Sequence, residues 1–238
     1  MISVSRLYKS FDKQVVIDDM SFTIGKGEIV TILGESGSGK SVLLKHLMGL
    51  LKPDRGQIKI DDRDITQLRE KELLVLRKNI GYLFQEGALY DFMNVFENIA
   101  FPLKEHTDLK DGAIAEKVYN ILKIVDLKNV EEKYPMELSG GMRKRVGLAR
   151  AIILDSKILL CDEPTSGLDP IRSRDISDLI KSISRRMECV TVMTSHDIDN
   201  SLRISDRIIL IHDGKIAAQG TPLELKSSAD PFVAEFIG

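Results

Sequence analysis

Lys40 and Ser41 close the run Gly34-Glu35-Ser36-Gly37-Ser38-Gly39-Lys40-Ser41. Glycines spaced around one ammonium and one hydroxyl suit the binding of a polyphosphate. Glycine lets the backbone pass close to an anion with no Cβ in the way. Successive amides, and the N-terminus of a helix that follows, then point at the charge. The lysine reaches the β- and γ-phosphates and the Ser41 hydroxyl holds Mg²⁺. Gly34, Glu35, Ser36, Gly37, Ser38, Gly39, Lys40 and Ser41, with Val42 opening the next helix, are the predicted nucleotide contacts. A second group makes the cradle reactive. Asp162 and Glu163 end the apolar run Ile158-Leu159-Leu160-Cys161. A carboxylate there can enter the metal shell, usually through water, and its neighbour can take a proton from an attacking water. The chemistry expected is hydrolysis of a nucleoside triphosphate.

These residues need a sheet to hold them. Glu28-Ile29-Val30-Thr31-Ile32-Leu33 reads as a buried strand and Val42 to Met48 as a helix, the strand–loop–helix setting that the phosphate loop requires. Ile158 to Cys161 is continuously apolar, as a strand buried on both faces is, so its acids fall at the carboxyl end, where open α/β sheets bind ligands. Residues 1–30 alternate like antiparallel strands with a turn near Phe11-Asp12-Lys13. Ile80 to Phe84 is a further strand, and Asp213-Gly214 makes a hairpin between Arg207–His212 and Lys215–Ala218. From about 86 to 155 no strand is evident. Ile114, Val118, Ile121, Leu122 and Val125 recur at helical spacing. The fold class expected is therefore α/β, with an antiparallel β subdomain and an inserted helical lobe.

Several further segments carry a family resemblance. Leu138-Ser139-Gly140-Gly141-Met142 resembles the signature of ATP-binding-cassette (ABC) ATPases, usually Leu-Ser-Gly-Gly-Gln, and Arg143-Lys144-Arg145-Val146-Gly147-Leu148-Ala149-Arg150-Ala151 continues it. Gln85 in Tyr82-Leu83-Phe84-Gln85 resembles the Q-loop. Ser166-Gly167-Leu168-Asp169 resembles the D-loop, and Thr194-Ser195-His196-Asp197 the switch histidine. The resemblance covers essentially the whole chain and implies a P-loop NTPase core of ABC type. It implies one nucleotide-binding domain over 1–238, with a core of 1–85 and 156–238 that carries the β subdomain, and a helical signature subdomain over 86–155. It further implies that two copies sandwich two ATP molecules. Each site would take Lys40, Ser41, Gln85, Asp162, Glu163 and His196 from one copy and Leu138 to Met142 from the other. Glu163, His196 and Gln85 are then catalytic, Ser41, Gln85 and Asp162 hold Mg²⁺, and Asp169 serves the D-loop. Phe11 stands where the family places an aromatic against adenine, with Tyr8 as the competing candidate.

Composition narrows the class. The 238 residues are 43% hydrophobic, enough for a core, and the net charge of −2 implies no general attraction to nucleic acid or anionic lipid. The basic run Arg143-Lys144-Arg145 is expected to be a solvated or phosphate-facing helix surface. Cys161 and Cys189 read as small core residues in a reducing cytoplasm. No apolar run approaches the roughly 18 residues that span a bilayer, and Met1 to Arg6 has no signal-peptide core. The expected place is the cytoplasmic face of the inner membrane.

Within the family, Leu89 to Thr107, Met142 in place of glutamine, Gly167 to Ile171 and the ending Ala229 to Gly238 are similar to the ATPases of Mla/MCE-type lipid transporters. That resemblance implies as partners an integral-membrane permease and an MCE-domain lipid-binding protein, with phospholipid handled by the complex. Leu89 to Val95 and the Q-loop region are the expected coupling surface. Another importer or exporter ATPase is the alternative. DNA-clamping relatives insert a long coiled coil between phosphate loop and signature, and no heptads stand between Lys40 and Ser139 here. No nucleic-acid partner is expected.

Overall fold

The computed structural model describes residues 1–12 and 14–238. In chain order the elements begin with β1 (Ile2–Phe11), β2 (Gln14–Ile24), β3 (Ile29–Gly34), α1 (Lys40–Leu47), β4 (Arg55–Ile60), β5 (Arg63–Asp64), α2 (Glu70–Arg77) and β6 (Ile80–Leu83). They continue with α3 (Val95–His106), α4 (Asp111–Ile124), α5 (Gly140–Ile152), β7 (Ile158–Asp162), α6 (Pro170–Met187) and β8 (Val190–Ser195). The last are α7 (Ile198–Ile204), β9 (Arg207–His212), β10 (Lys215–Gly220), α8 (Pro222–Lys226) and α9 (Pro231–Ile237). Of the turn expected at Phe11-Asp12-Lys13, Lys13 lies outside the described residues. Phe11 and Gln14 face each other across the hairpin.

The chain forms two compact units, one made of Met1–Arg77 with Val190–Gly238, the other of Lys78–Cys189. The first unit carries an antiparallel sheet in the order β2-β1-β4-β5. Its second set of strands runs β10-β9-β3-β8. There β3 lies parallel to both β8 and β9, with Leu33 level with Ser195 and Gly34 level with Ile211. Every residue of β3 and of β8 is buried, which is why both read as unbroken apolar or small residues. The register puts the residues that follow β3, β8 and β9 at one end of the sheet, so the phosphate loop, His196 and His212 leave from the same edge. Asp213 and Gly214 both have positive φ, 46° and 72°, as the primed hairpin turn between β9 and β10 demands. Below, Leu33, Ile208, Leu210, Leu225 and Val233 form a core cluster against which Phe232 and Phe236 of α9 pack.

In the second unit β6 and β7 are parallel, with Leu83 level with Cys161. Gln85 and Glu163 therefore both leave from the carboxyl ends of this pair. Helix α5 packs on β6, α3, α4 and α6. The approach to β6 is close: a Cβ at Gly81 would lie 2.2 Å from the Ala151 carbonyl oxygen. The helix starts are cut by side chains. Asn94 and Glu97 make a reciprocal capping box on α3, Ser139 caps α5, and Asp169, followed by Pro170, caps α6. This unit is wider than the expected 86–155 insertion, because β6, β7 and α6 group with the helices. The pairing of β6 with β7 and the seat of α5 on β6 account for that. Among the described residues no helix is long and apolar enough to cross a membrane.

Candidate functional site

In the first unit the phosphate loop is built by its backbone. Gly39 stands at φ 97° as the N-cap of α1, and a Cβ there would lie 2.7 Å from the Val16 carbonyl oxygen. Any side chain would push the loop off β2. Lys40 is buried, and its Nζ donates to the Gly34 and Glu35 carbonyls at 2.7 and 2.8 Å. The ammonium is thus drawn inside the loop. Ser38 Oγ is buried and has no hydrogen-bond partner, although its backbone amide donates to the Glu35 carbonyl. A buried hydroxyl without a partner next to a buried ammonium fits an oxygen-rich anion. A cavity of about 250 Å³ opens here, lined by Val15, Val16, Glu35, Ser36, Gly37, Ser38 and the β9–β10 turn.

The expected aromatic partners of adenine differ in their surroundings. Phe11 is 42% exposed at the end of β1, with Lys9 Nζ 5.4 Å from its ring centroid. Tyr8 has its face covered by the Arg55 guanidinium at 4.2 Å. His196 is exposed directly after β8. Behind the loop, His46 is buried in α1. Its Nδ1 lies 2.8 Å from the Val42 carbonyl oxygen, which makes it the donor there, and Nε2 has no partner. Burial holds its pKa below the ordinary histidine value.

In the second unit the same task falls to side chains. Tyr82, nine-tenths buried on β6, donates its hydroxyl to Asp162 Oδ2 at 3.1 Å. Burial first, and the Asp162 carboxylate second, push the Tyr82 phenol well above its usual range, so it remains a donor. Gln85 Nε2 donates to Ser166 Oγ at 3.1 Å, which ties the Q-loop to the D-loop. Lys144, buried on α5, donates from Nζ to the Gln85 backbone carbonyl. Burial lowers the pKa of this ammonium, and the nearby Glu86 and Glu163 charges oppose that shift. Glu163 itself has φ 43°, the left-handed region that costs a non-glycine residue on the order of 1–3 kcal/mol and persists where surroundings impose it.

Helix α5 starts at a serine cap. Ser139 Oγ accepts from the Met142 amide at 3.3 Å, no acidic residue occupies the first turn, and the amides of Gly140 and Gly141 belong to the positive end of a long helix. Leu138 is buried just ahead of it. Asp169 accepts from the Ile171 and Arg172 amides, both at 3.1 Å, so its carboxylate caps α6.

One expectation fails. Arg143-Lys144-Arg145 is not a solvated or phosphate-facing surface. Arg143 donates to the Leu138 carbonyl at 2.8 Å, Arg145 to the Val125 carbonyl at 2.7 Å, and Lys144 is buried against Gln85. Farther along α5, Arg150 donates to the Gly87 carbonyl at 2.9 Å. Long cationic side chains reach loop carbonyls that have no partner in regular structure, and that need outweighs exposure. Tyr82 and Lys144 were missed as contributors to the site for a related reason. An aromatic in a buried strand reads as core, and a lysine in a basic run reads as surface.

The donor set expected for a metal, the Ser41 hydroxyl, the Asp162 carboxylate and the Gln85 amide oxygen, consists of hard oxygen atoms. That chemistry suits Mg²⁺, which takes one or two carboxylates and completes its shell from phosphates and water.

Residues 17–166 match the family described as "ABC transporter". The chain is 44% identical over 236 residues to the "Probable ribonucleotide transport ATP-binding protein mkl" of Mycobacterium tuberculosis, covering 99% of this chain and 66% of that protein. It thus spans about two thirds of that relative's length. It is 40% identical over 237 residues to the "Intermembrane phospholipid transport system ATP-binding protein MlaF" of Haemophilus influenzae, covering 100% of this chain and 90% of that one. Among solved structures, the dimeric post-hydrolysis state of the ATP-binding cassette MJ0796 bound to ADP and Pi superposes with a TM-score of 0.85 at 29% identity, covering 93% of this chain and 99% of that chain.

Proposed function

This chain belongs to the ABC transporter family and is an ATPase of that family, and from that premise we propose that two copies of it sandwich two ATP molecules and power phospholipid transport by an Mla/MCE-type complex. The observation that carries the nucleotide reading is the Lys40 ammonium, buried inside the loop next to the partnerless Ser38 hydroxyl. In this reading the loop amides from Glu35 to Ser41, except that of Ser38, take the phosphate oxygens, and Lys40 bridges the β- and γ-phosphates. Phe11 stacks on the base. Ser41, Asp162 and Gln85 would hold Mg²⁺, which when bound would neutralise charge on the phosphates. Glu163, whose backbone is left-handed, accepts the proton of the attacking water. His196 contacts the γ-phosphate from the edge after β8. Ser139 to Met142 of the second copy offer the amides of a helix N-terminus to that phosphate. Closure excludes water, and hydrolysis reopens the pair.

A chain with no membrane-crossing helix among its described residues needs a permease to move a lipid. The proposed partners are an integral-membrane permease, docked at the Q-loop region and Leu89 to Val95 on the cytoplasmic face, and an MCE-domain protein. Tyr90 and Phe92 in that segment are 39% and 76% exposed. The lipid assignment is supported by the likeness to MlaF along the whole chain and by Met142 in the signature. The name of the mycobacterial relative favours a second reading, in which the same engine drives another cargo.

The test is reconstitution. The chain is purified from membranes with its bound proteins, placed in vesicles with them, and assayed for ATP-dependent movement of phospholipid. Recovery of a permease for a water-soluble solute, with no lipid movement, would sink the lipid assignment and leave the ATPase intact. In parallel, Ser139→Arg should bind ATP but not turn over. Full activity of that variant would overturn the proposed sharing of sites between copies.

A further inference from the structure

We propose that Tyr82 is a positioning residue for Asp162: its hydroxyl, by donating to one carboxylate oxygen, sets the orientation in which that carboxylate meets the Mg²⁺ shell. The inference rests on the reading of Asp162 as the metal-shell carboxylate and adds to it the group that aims the carboxylate.

Asp162 is the last residue of β7 and is only partly buried. The terminal torsion of an aspartate is broad and roughly two-fold, so a carboxylate at a strand end needs a partner to hold one rotation. The phenol supplies it at 3.1 Å. Its own position is set by the sheet. Tyr82 is level with Leu160 in the β6–β7 ladder, two residues short of Asp162. Two residues of strand span roughly 7 Å, the reach of an extended tyrosine side chain. The ring cannot swing, because it is 9% exposed and lies against Phe84 with centroids 4.4 Å apart. A buried ring wedged between strand and aromatic neighbour thus presents one fixed hydroxyl to one acidic oxygen. Groups that hydrogen-bond a metal's carboxylate typically contribute 10–100-fold to metal affinity. Nothing in the packing of the ring itself requires the hydroxyl, since phenylalanine would fill the same space.

The experiment measures Mn²⁺ affinity by electron paramagnetic resonance, on the full chain with ATP, in the Glu163→Gln background so that nucleotide is not consumed. Tyr82→Phe should weaken Mn²⁺ binding about tenfold, with the melting temperature and the ATP affinity in EDTA unchanged. Asp162→Asn should weaken Mn²⁺ binding at least as much. Because Tyr82 acts through Asp162, Tyr82→Phe should add nothing in the Asp162→Asn background. If Asp162→Asn weakens the metal and Tyr82→Phe does not, the positioning role is wrong and the metal reading stands. If Tyr82→Phe weakens it equally in both backgrounds, the hydroxyl does not act through Asp162 and the proposal falls. If Asp162→Asn has no effect, the metal reading fails and takes this inference with it.

Discussion

The phosphate loop and the acidic strand end do comparable work with different materials. In the first unit the chain itself is the site: a glycine at φ 97° against the Val16 carbonyl, an N-terminus of α1, and a lysine folded back onto its own loop within six residues. In the second unit the proposed reactive groups are side chains, held by other side chains from distant positions. Tyr82 reaches Asp162, Gln85 reaches Ser166, and Lys144 reaches Gln85 from a helix 59 positions away. A site made of backbone is rigid because the fold of a few residues fixes it. A site made of side chains is only as fixed as the contacts behind it. Substitutions within the loop should therefore act on binding, and substitutions behind the acids should act on turnover.

The largest effect expected is Glu163→Gln, which removes the proposed proton acceptor and leaves the proposed phosphate cradle. Turnover should fall about 10²–10⁴-fold, with ATP binding kept and an ATP-bound dimer visible by size-exclusion chromatography. Hydrolysis near the wild-type rate would remove Glu163 from the role of base. Lys40→Ala comes next and should weaken ATP binding itself by about 10–100-fold, the scale of one or two charge-assisted hydrogen bonds. Equilibrium binding with a fluorescent ATP analogue reads this, and unchanged affinity would erase the contrast between the two regions from the loop side.

Lys144→Met erases it from the other side. The residue contacts no expected ligand, yet its loss frees the Gln85 carbonyl. We expect kcat to fall about tenfold, or roughly 1.4 kcal/mol of barrier, with KM for ATP unchanged and Lys144→Arg partly restoring the rate. A change confined to KM would contradict the picture of a site wired from behind. Phe11→Ala should weaken nucleotide affinity by about 0.5–1.5 kcal/mol. A loss in Tyr8→Ala instead would move the stacking role to the ring now covered by Arg55.

The smallest effect concerns pH. His46, buried behind the phosphate loop, has a folded pKa below its unfolded value because burial disfavours the charged ring. The unfolded chain therefore binds more protons between the two values, and stability is present above about pH 6.5 and lost as pH falls through the folded value. Hydrogen exchange should show α1 loosening before α5 as pH is lowered, and His46→Gln should flatten that response. Equal loosening of both helices would leave His46 without a special part in it.

Legibility followed the same divide. The phosphate loop, the strands β3, β7 and β8 and the β9–β10 hairpin could be read from local spacing, since each depends on residues a few positions apart. The antiparallel pairing of β1 with β2 followed from alternation. Local spacing marks the stretch over α4 as helical, whereas the grouping of β6, β7 and α6 with these helices in one compact unit depends on which surface α5 packs against. The basic run of α5 was misread for the same reason: whether a lysine points to water or to a carbonyl is decided by the loop that folds over it.

Sequence by itself determined which groups are present and which are held by neighbours along the chain: the glycine-rich loop with its lysine, and the acids after an apolar strand. Tertiary structure alone decided what stands behind them. The hydroxyl on Asp162 and the ammonium under Gln85 both arise where segments remote in sequence are pressed together, and no local spacing records which remote segment will arrive.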